Sequence, residues 1–300
     1  MNKKILITGS NGLLGQSLLE LLLQKFDYQV FGISKGKNRS GFSNFTYINL
    51  DITNKEKLLQ TIECIKPDCI INTAAMTQVD DCETQKEACR ILNIDVVDWL
   101  IESAKKHHFK IIHLSTDFIF DGKNGPYKET DIPNPLSYYG WSKLESENLL
   151  IQSNINFAII RTILVFGKVH DMSRSNIVLW TIEKLKKQEQ INIVDDQFRM
   201  PTFVKDLAWA CKTIFENDKN GIFHISSNKL LSIYEIVQQI AETFNLDKSL
   251  INPIQSTTLN QAAKRPSITG FDLSKSCKEL GFKSKSFKED LQLFKQEISI

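Results

Sequence analysis

Short apolar runs of strand type alternate with longer helical patterns through the first half of the chain, and this rhythm restricts the fold more than any other feature. Lys4–Thr8, Gln29–Ile33, Phe45–Ile48, Cys69–Asn72, Lys110–Leu114 and Phe157–Arg161 read as strands. Leu13–Lys25, Lys55–Ile65 and stretches near 84–107 and 137–152 carry helical periodicity, with Leu14, Leu18, Leu21 and Leu22 on the first helix. Strands this uniformly apolar need cover on both faces, and strict alternation implies right-handed crossovers. The expected fold is α/β, a doubly wound parallel sheet of Rossmann type. Past residue 165 the rhythm loosens, with helical patterns at 174–187, 204–216 and 232–245 joined by segments such as Gln190–Val194 and Gly221–Ile225. The division expected is a cofactor domain, 1–165, and a smaller α/β substrate lobe, 166–300, some of whose segments pack back on the first domain.

Bulk composition removes several classes of function. The chain has 300 residues, 42% hydrophobic and 24% charged, which is ordinary globular usage with no call for disulfide or metal staples. Lys and Arg total 37 against 35 Asp and Glu, so no general basic field attracts nucleic acid. Lys3-Lys4 followed by Ile5-Leu6-Ile7 imitates the start of a signal peptide, but the apolar run breaks at Thr8-Gly9 and polar Gln16, Ser17 and Glu20 follow. No window of about 18 apolar residues exists. A cytoplasmic location with no membrane or nucleic-acid partner is expected. The cysteines at 64, 69, 82, 89, 211 and 277 form no C-x-x-C and read as free buried thiols. The five histidines show no zinc-site spacing, and no metal ligand set is assigned.

Thr8-Gly9-Ser10-Asn11-Gly12-Leu13-Leu14-Gly15 falls between the first strand and the first helix. Gly9 permits the tight turn, Gly12 lets backbone approach a pyrophosphate, and Gly15 allows close helix–strand packing. The phosphates would meet free N–H groups and the positive end of the helix dipole. The whole turn, with Asn11, Leu13 and Leu14, is therefore assigned to cofactor binding. After the second strand, Ser34-Lys35-Gly36-Lys37-Asn38-Arg39 offers three cations and no acid. An acid there would bind a ribose 2′-OH, whereas Ser34, Lys35 and Arg39 suit a 2′-phosphate, so NADP(H) is expected over NAD(H).

Tyr139-Gly140-Trp141-Ser142-Lys143 is a Y-x-x-x-K motif, which on a helix puts phenol and ammonium on one face. A phenol with pKa near 10 becomes a usable acid–base group when a neighbouring cation favours its phenolate. Ser115-Thr116-Asp117 ends a strand, where doubly wound sheets present ligand-facing groups, and supplies hydroxyls for a substrate carbonyl.

The G-x-x-G-x-x-G spacing resembles that of extended short-chain dehydrogenases and reductases. By that resemblance Asp51-Ile52 is the pair that reads adenine, Asn72-Thr73-Ala74-Ala75 is the small-residue strand end beside ribose and phosphates, and Asn93 is the helical asparagine. Asn72, Ala74, Ala75 and Asn93 thus join the cofactor set, with Tyr139 and Lys143. The block Ser115–Gly122, then Pro126-Tyr127-Lys128-Glu129-Thr130-Asp131 and Pro135–Glu147, closely resembles dTDP-4-dehydrorhamnose reductases, and Arg161-Thr162, Asp196-Gln197, Pro201-Thr202 and Lys264-Arg265-Pro266 continue the match. That resemblance implies a catalytic set of Thr116, Tyr139 and Lys143. It implies NADPH-dependent reduction of a nucleotide-linked 4-keto-6-deoxy sugar, with dTDP-4-dehydrorhamnose going to dTDP-rhamnose. It further implies substrate contacts from Thr116, Asp117, Leu164, Arg199, Pro201 and Arg265. A homodimer through the helices near 84–107 and 137–152, and magnesium at an unassigned site, also follow from the likeness.

Leu164 stands where these reductases usually carry tryptophan, and Arg199 where they carry glycine. Those two departures point to a relative: Phe166-Gly167-Lys168-Val169, Gln197–Ala208 and Gly221-Ile222-Phe223-His224 resemble the regulatory β subunit of methionine adenosyltransferase. A non-catalytic NADP-binding subunit is therefore the alternative, followed by another sugar-nucleotide epimerase or dehydratase.

Overall fold

A computed structural model describes residues 2–24, 27–171 and 175–298. The final position of the helix expected over Leu13–Lys25 and the first of the helix expected over 174–187 lie outside the described residues. The chain opens with β1 (Lys3–Thr8), α1 (Leu13–Leu22), β2 (Tyr28–Ser34), β3 (Thr46–Asn49), α2 (Lys55–Ile65) and β4 (Cys69–Asn72). The helix expected near 84–107 is composite: α3 (Val79–Thr84) and α4 (Lys86–Arg90) lead through a π-helical turn, Ile91–Asp95, into α5 (Val96–His107). Then come β5 (Lys110–Thr116), α6 (Tyr138–Ile151) and β6 (Phe157–Thr162).

Side-chain alternation along these strands separates two cores. Ile5, Ile7, Ile71, Ile112 and Ile160 pack on one face with Leu18, Leu19 and Leu22 of α1. Leu6, Ile33, Ile70, Ile111 and Ile159 pack on the other with α2, α5 and Leu150 of α6. Burial on both faces is what makes the strands read as continuous apolar runs. Strand order reverses between β1, which leads to β2 and β3, and β4, which leads to β5 and β6. That reversal leaves a crevice beyond the carboxyl ends of β1 and β4.

The second half continues with β7 (Val165–Phe166), α7 (Ile177–Lys186), β8 (Ile191–Val194), β9 (Phe198–Arg199), β10 (Thr202–Phe203), α8 (Val204–Glu216) and β11 (Gly221–Ile225). It ends with β12 (Leu231–Ser232), α9 (Ile233–Thr243), β13 (Ile251–Ile254), β14 (Ile268–Thr269), α10 (Ser274–Leu280) and α11 (Phe287–Ile298). Strand β11 pairs in parallel with β6 and becomes the seventh strand of the main sheet. Helix α8 adds Leu207, Ala208, Cys211 and Ile214 to the core beside α1. These elements cover β6, which would otherwise be an exposed apolar edge. The sheet layer thus also takes in α8 and β11 of the second half. A separate lobe is built by α7, α9 and α11 around Phe166, Phe287 and Phe294, and by the β8–β13 pair. Among the described residues no helix is long and apolar enough to cross a membrane. Cys64 and Cys277 are exposed rather than buried, since they face solvent on α2 and α10, and the other four thiols are buried and free.

Candidate active site

Three glycines let the site's walls close. Gly9 has φ +70°, and a Cβ on Gly15 would stand 2.3 Å from the Gly9 carbonyl oxygen, so α1 can begin hard against the turn. Gly12 occupies the N-cap position of α1 without a side-chain cap, leaving first-turn amides free for another acceptor. At the opposite wall, Ser137 caps α6 by accepting from the Gly140 amide at 3.2 Å. A Cβ on Gly140 would lie 2.1 Å from the Phe118 carbonyl oxygen, so only glycine allows α6 to start against the turn that follows β5.

Between these walls is a cleft of about 820 Å³. Gly9, Asn11, Gly12, Leu13 and Leu14 form one side, and Ser34, Lys35, Arg39, Asp51 and Ile52 one end. Ala74, Ala75, Thr116, Asp117, Tyr139 and Lys143 line it as well, with Leu164 and Arg265 from the second half. Lys35 is paired with Asp51 at 2.7 Å, so one loop cation is partly neutralised, whereas no ion pair engages Arg39 among the described residues. Leu164 adopts φ +43°, a left-handed conformation that non-glycine residues seldom take.

Five expected contacts are not on the cleft wall. Gly15 packs beneath the turn. Asn72 is buried, accepting from Thr8 Oγ1 at 2.6 Å and bonding His113 Nδ1 at 3.1 Å. Asn93 braces the chain: it accepts from the Met76 amide at 2.8 Å and donates to Ser142 Oγ at 3.0 Å. Arg199 does not reach a ligand site, because its guanidinium donates to the carbonyls of Phe198 (2.7 Å), Pro266 (2.8 Å) and Ser267 (3.2 Å), with Asp117 at 3.6 Å. Pro201 is buried behind it, its carbonyl accepting from Ser227. For Asn72, Asn93 and Arg199 the cause is shared: partners distant in sequence engage their polar groups.

Burial of the individual side chains dominates the electrostatics. Burial pushes the Tyr139 phenol well above its ordinary value, with the Thr116 hydroxyl acting against it. Burial lowers Lys143 to about 8, opposed by Glu147. Asp117 is raised by burial despite Arg199, and accepts hydrogen bonds from Thr269 Oγ1 and, at 3.1 Å, Thr116 Oγ1. His113 is the residue that sequence reasoning missed. Its Nε2 lies 2.9 Å from Lys143 Nζ and 3.0 Å from Ser146 Oγ, and burial keeps the ring neutral. The available signal was a histidine inside an otherwise apolar strand.

Residues 3–300 match the family model described as "RmlD substrate binding domain". The chain is 33% identical to a dTDP-4-dehydrorhamnose reductase of Aggregatibacter actinomycetemcomitans, over 96% of this chain and 97% of that one. It is 30% identical to methionine adenosyltransferase 2 subunit beta of Bos taurus, over 91% and 81% respectively. A dTDP-4-dehydrorhamnose reductase from Bacillus anthracis, solved in complex with NADP, superposes with a TM-score of 0.87 at 26% identity, covering 99% of this chain and 100% of that one.

Proposed function

The chain belongs to the RmlD substrate binding domain family, and from that membership we propose that it reduces dTDP-4-dehydrorhamnose to dTDP-rhamnose with NADPH. As a member of that family it is an NAD(P)-dependent oxidoreductase of sugar nucleotides. The observation that supports the finer reading is that Thr116, Tyr139 and Lys143 line the same cleft as the glycine turn.

The residues present fit a nicotinamide dinucleotide. The uncapped N-terminus of α1 would hold its pyrophosphate, Asp51 and Ile52 its adenine, and Ser34, Lys35 and Arg39 a 2′-phosphate. When bound, the reduced cofactor supplies hydride to the sugar's keto carbon. Tyr139 gives its phenolic proton to the oxygen of that carbonyl. Because burial keeps Tyr139 protonated, it enters the reaction as the acid. Thr116 Oγ1 adds a hydrogen bond to the same oxygen as charge develops, exchanging its bond to Asp117. Lys143 lies one helical turn beyond Tyr139, where it would hold the nicotinamide ribose. Leu164 and Arg265 would border the sugar nucleotide.

NADPH oxidation followed at 340 nm against dTDP-, GDP- and UDP-linked 4-keto-6-deoxy sugars tests this reading. Turnover greatest with the dTDP sugar is the expected result. Tight NADP binding with no turnover on any of them would favour a subunit role like that of the methionine adenosyltransferase relative.

A further inference from the structure

The loop after β2 supplies the cations at one end of the cleft, yet its shape is set from outside that end. Asn11 is 4% exposed. Its side-chain amide donates to the Lys37 carbonyl at 2.9 Å and to Tyr47 Oη at 3.0 Å, with the Lys35 carbonyl at 3.4 Å. Its Oδ1 accepts from the Arg39 amide at 2.9 Å, and its backbone amide donates to Ser34 Oγ at 3.0 Å. One asparagine thus touches four positions of a six-residue loop. Tyr47, on β3, completes the frame: its hydroxyl donates to the Gly36 carbonyl at 2.8 Å, with the Ser34 carbonyl at 3.1 Å. The Gly36 amide donates to Asn49 Oδ1 at 2.8 Å. Gly36 has φ +78° and open space around it, so at its tip the loop is held by hydrogen bonds rather than packing, with the Lys35–Asp51 pair beside them.

Tyr47 does not line the cleft, although Ser34, Lys35 and Arg39 do. Its hydroxyl therefore acts on a ligand only through the loop. We propose that Asn11 and Tyr47 are positioning residues for cofactor choice, a clamp that pre-forms the Ser34–Arg39 loop as a seat for a 2′-phosphate. The inference rests on the NADP reading and adds to it which side chains make the loop selective. Without the clamp, the glycine-centred backbone that carries Ser34 and Arg39 would have to be ordered by the phosphate itself, and ordering subtracts from affinity. A cofactor without the 2′-phosphate makes no use of that seat, so the clamp changes the ratio of affinities and not the affinity for the rest of the dinucleotide.

The test is calorimetric titration of the full chain with 2′,5′-ADP and with 5′-AMP, for the wild type and for Tyr47→Phe. The substitution removes one donor and one acceptor from the clamp and leaves every cleft-lining side chain in place. The wild type should prefer 2′,5′-ADP, and the variant should lose about tenfold of its affinity for 2′,5′-ADP while binding 5′-AMP within about twofold of wild type. A preference kept intact in Tyr47→Phe would overturn the clamp alone. Equal weakening of both ligands would also overturn it, since that is the mark of general loosening. Absence of any preference in the wild type would overturn the NADP reading and the clamp with it.

Discussion

Lys143 is a cation placed where its charge is poorly solvated: it is 2% exposed, and its hydrogen bond is to a neutral histidine. Its pKa falls to about 8 from an ordinary value of 10.5. The unfolded chain therefore binds a proton that the folded chain has released between those values, and stability rises as pH increases through 8. For this residue the gain between pH 7 and pH 9 is about 1 kcal/mol. Urea unfolding at the two pH values should show that rise in the wild type and lose it in Lys143→Met. Tyr139 makes the complementary prediction. Tyr139→Phe should lower kcat by about 10²–10⁴-fold, the range for a lost general acid, with the Kd for NADPH little changed. Stopped-flow reduction and fluorescence titration separate the two effects, and an unchanged kcat would remove Tyr139 from the acid role. Both residues were legible from a four-residue spacing, because neighbours on one helix face need only local geometry. His113 was not, since its contact with Lys143 joins residues 30 positions apart on two elements.

At the scale of elements, the entry of α6 sets where the Tyr139 ring stands. The Ser137 cap starts the helix, and the missing side chain at Gly140 lets its first turn press on the Phe118 carbonyl. Phe118 packs edge-on against the Tyr139 ring, with centroids 5.8 Å apart, so helix and turn locate the phenol together. Farther along, Glu147 and Arg161 form a buried ion pair at 2.6 Å that ties α6 to β6. Gly140→Ala should force α6 away from the turn, destabilising the fold by about 1–3 kcal/mol, as overpacking does. It should also lower kcat more than it changes KM, because the phenol moves while the cofactor wall stays. Thermal unfolding with steady-state kinetics checks both. The glycine turn and α1 matched their sequence reading closely, since glycine spacing and helical period lie within one short segment. The composite helix over 79–107 did not, because its π-helical turn positions Asn93 to brace Met76 and Ser142, partners supplied by other elements.

Across the whole molecule, the second half both completes the sheet and closes the cleft. Arg265 reaches Asp80 on α3 at 2.6 Å, and Asp80 also accepts from the Ala263 amide at 2.9 Å. This pair connects the segment before β14 to the sheet layer at the cleft's rim. Asp80 is partly exposed, so its loss should change global stability by less than about 1 kcal/mol. Asp80→Ala should instead raise KM for the sugar nucleotide several-fold and speed amide exchange over residues 259–268, with NADPH affinity unaffected. Hydrogen-exchange mass spectrometry beside the KM measurement decides it, and unchanged exchange there would show that the pair does not hold the segment.

The sequence by itself determined the class of sheet, the glycine turn and the spacing of Tyr139 and Lys143, because each depends on periodicity or on residues within one helical turn. Tertiary structure alone decided which polar groups are available. Arg199 reads as a ligand-binding cation until its partners at Pro266 and Ser267, more than sixty positions away, are seen to saturate it. Asn11 reads only as part of the cofactor turn until its side chain is found holding the next loop as well. Residue type limits what a side chain can bond. Only the packed fold, by bringing donors and acceptors from distant segments together, determines which of those bonds have already been made.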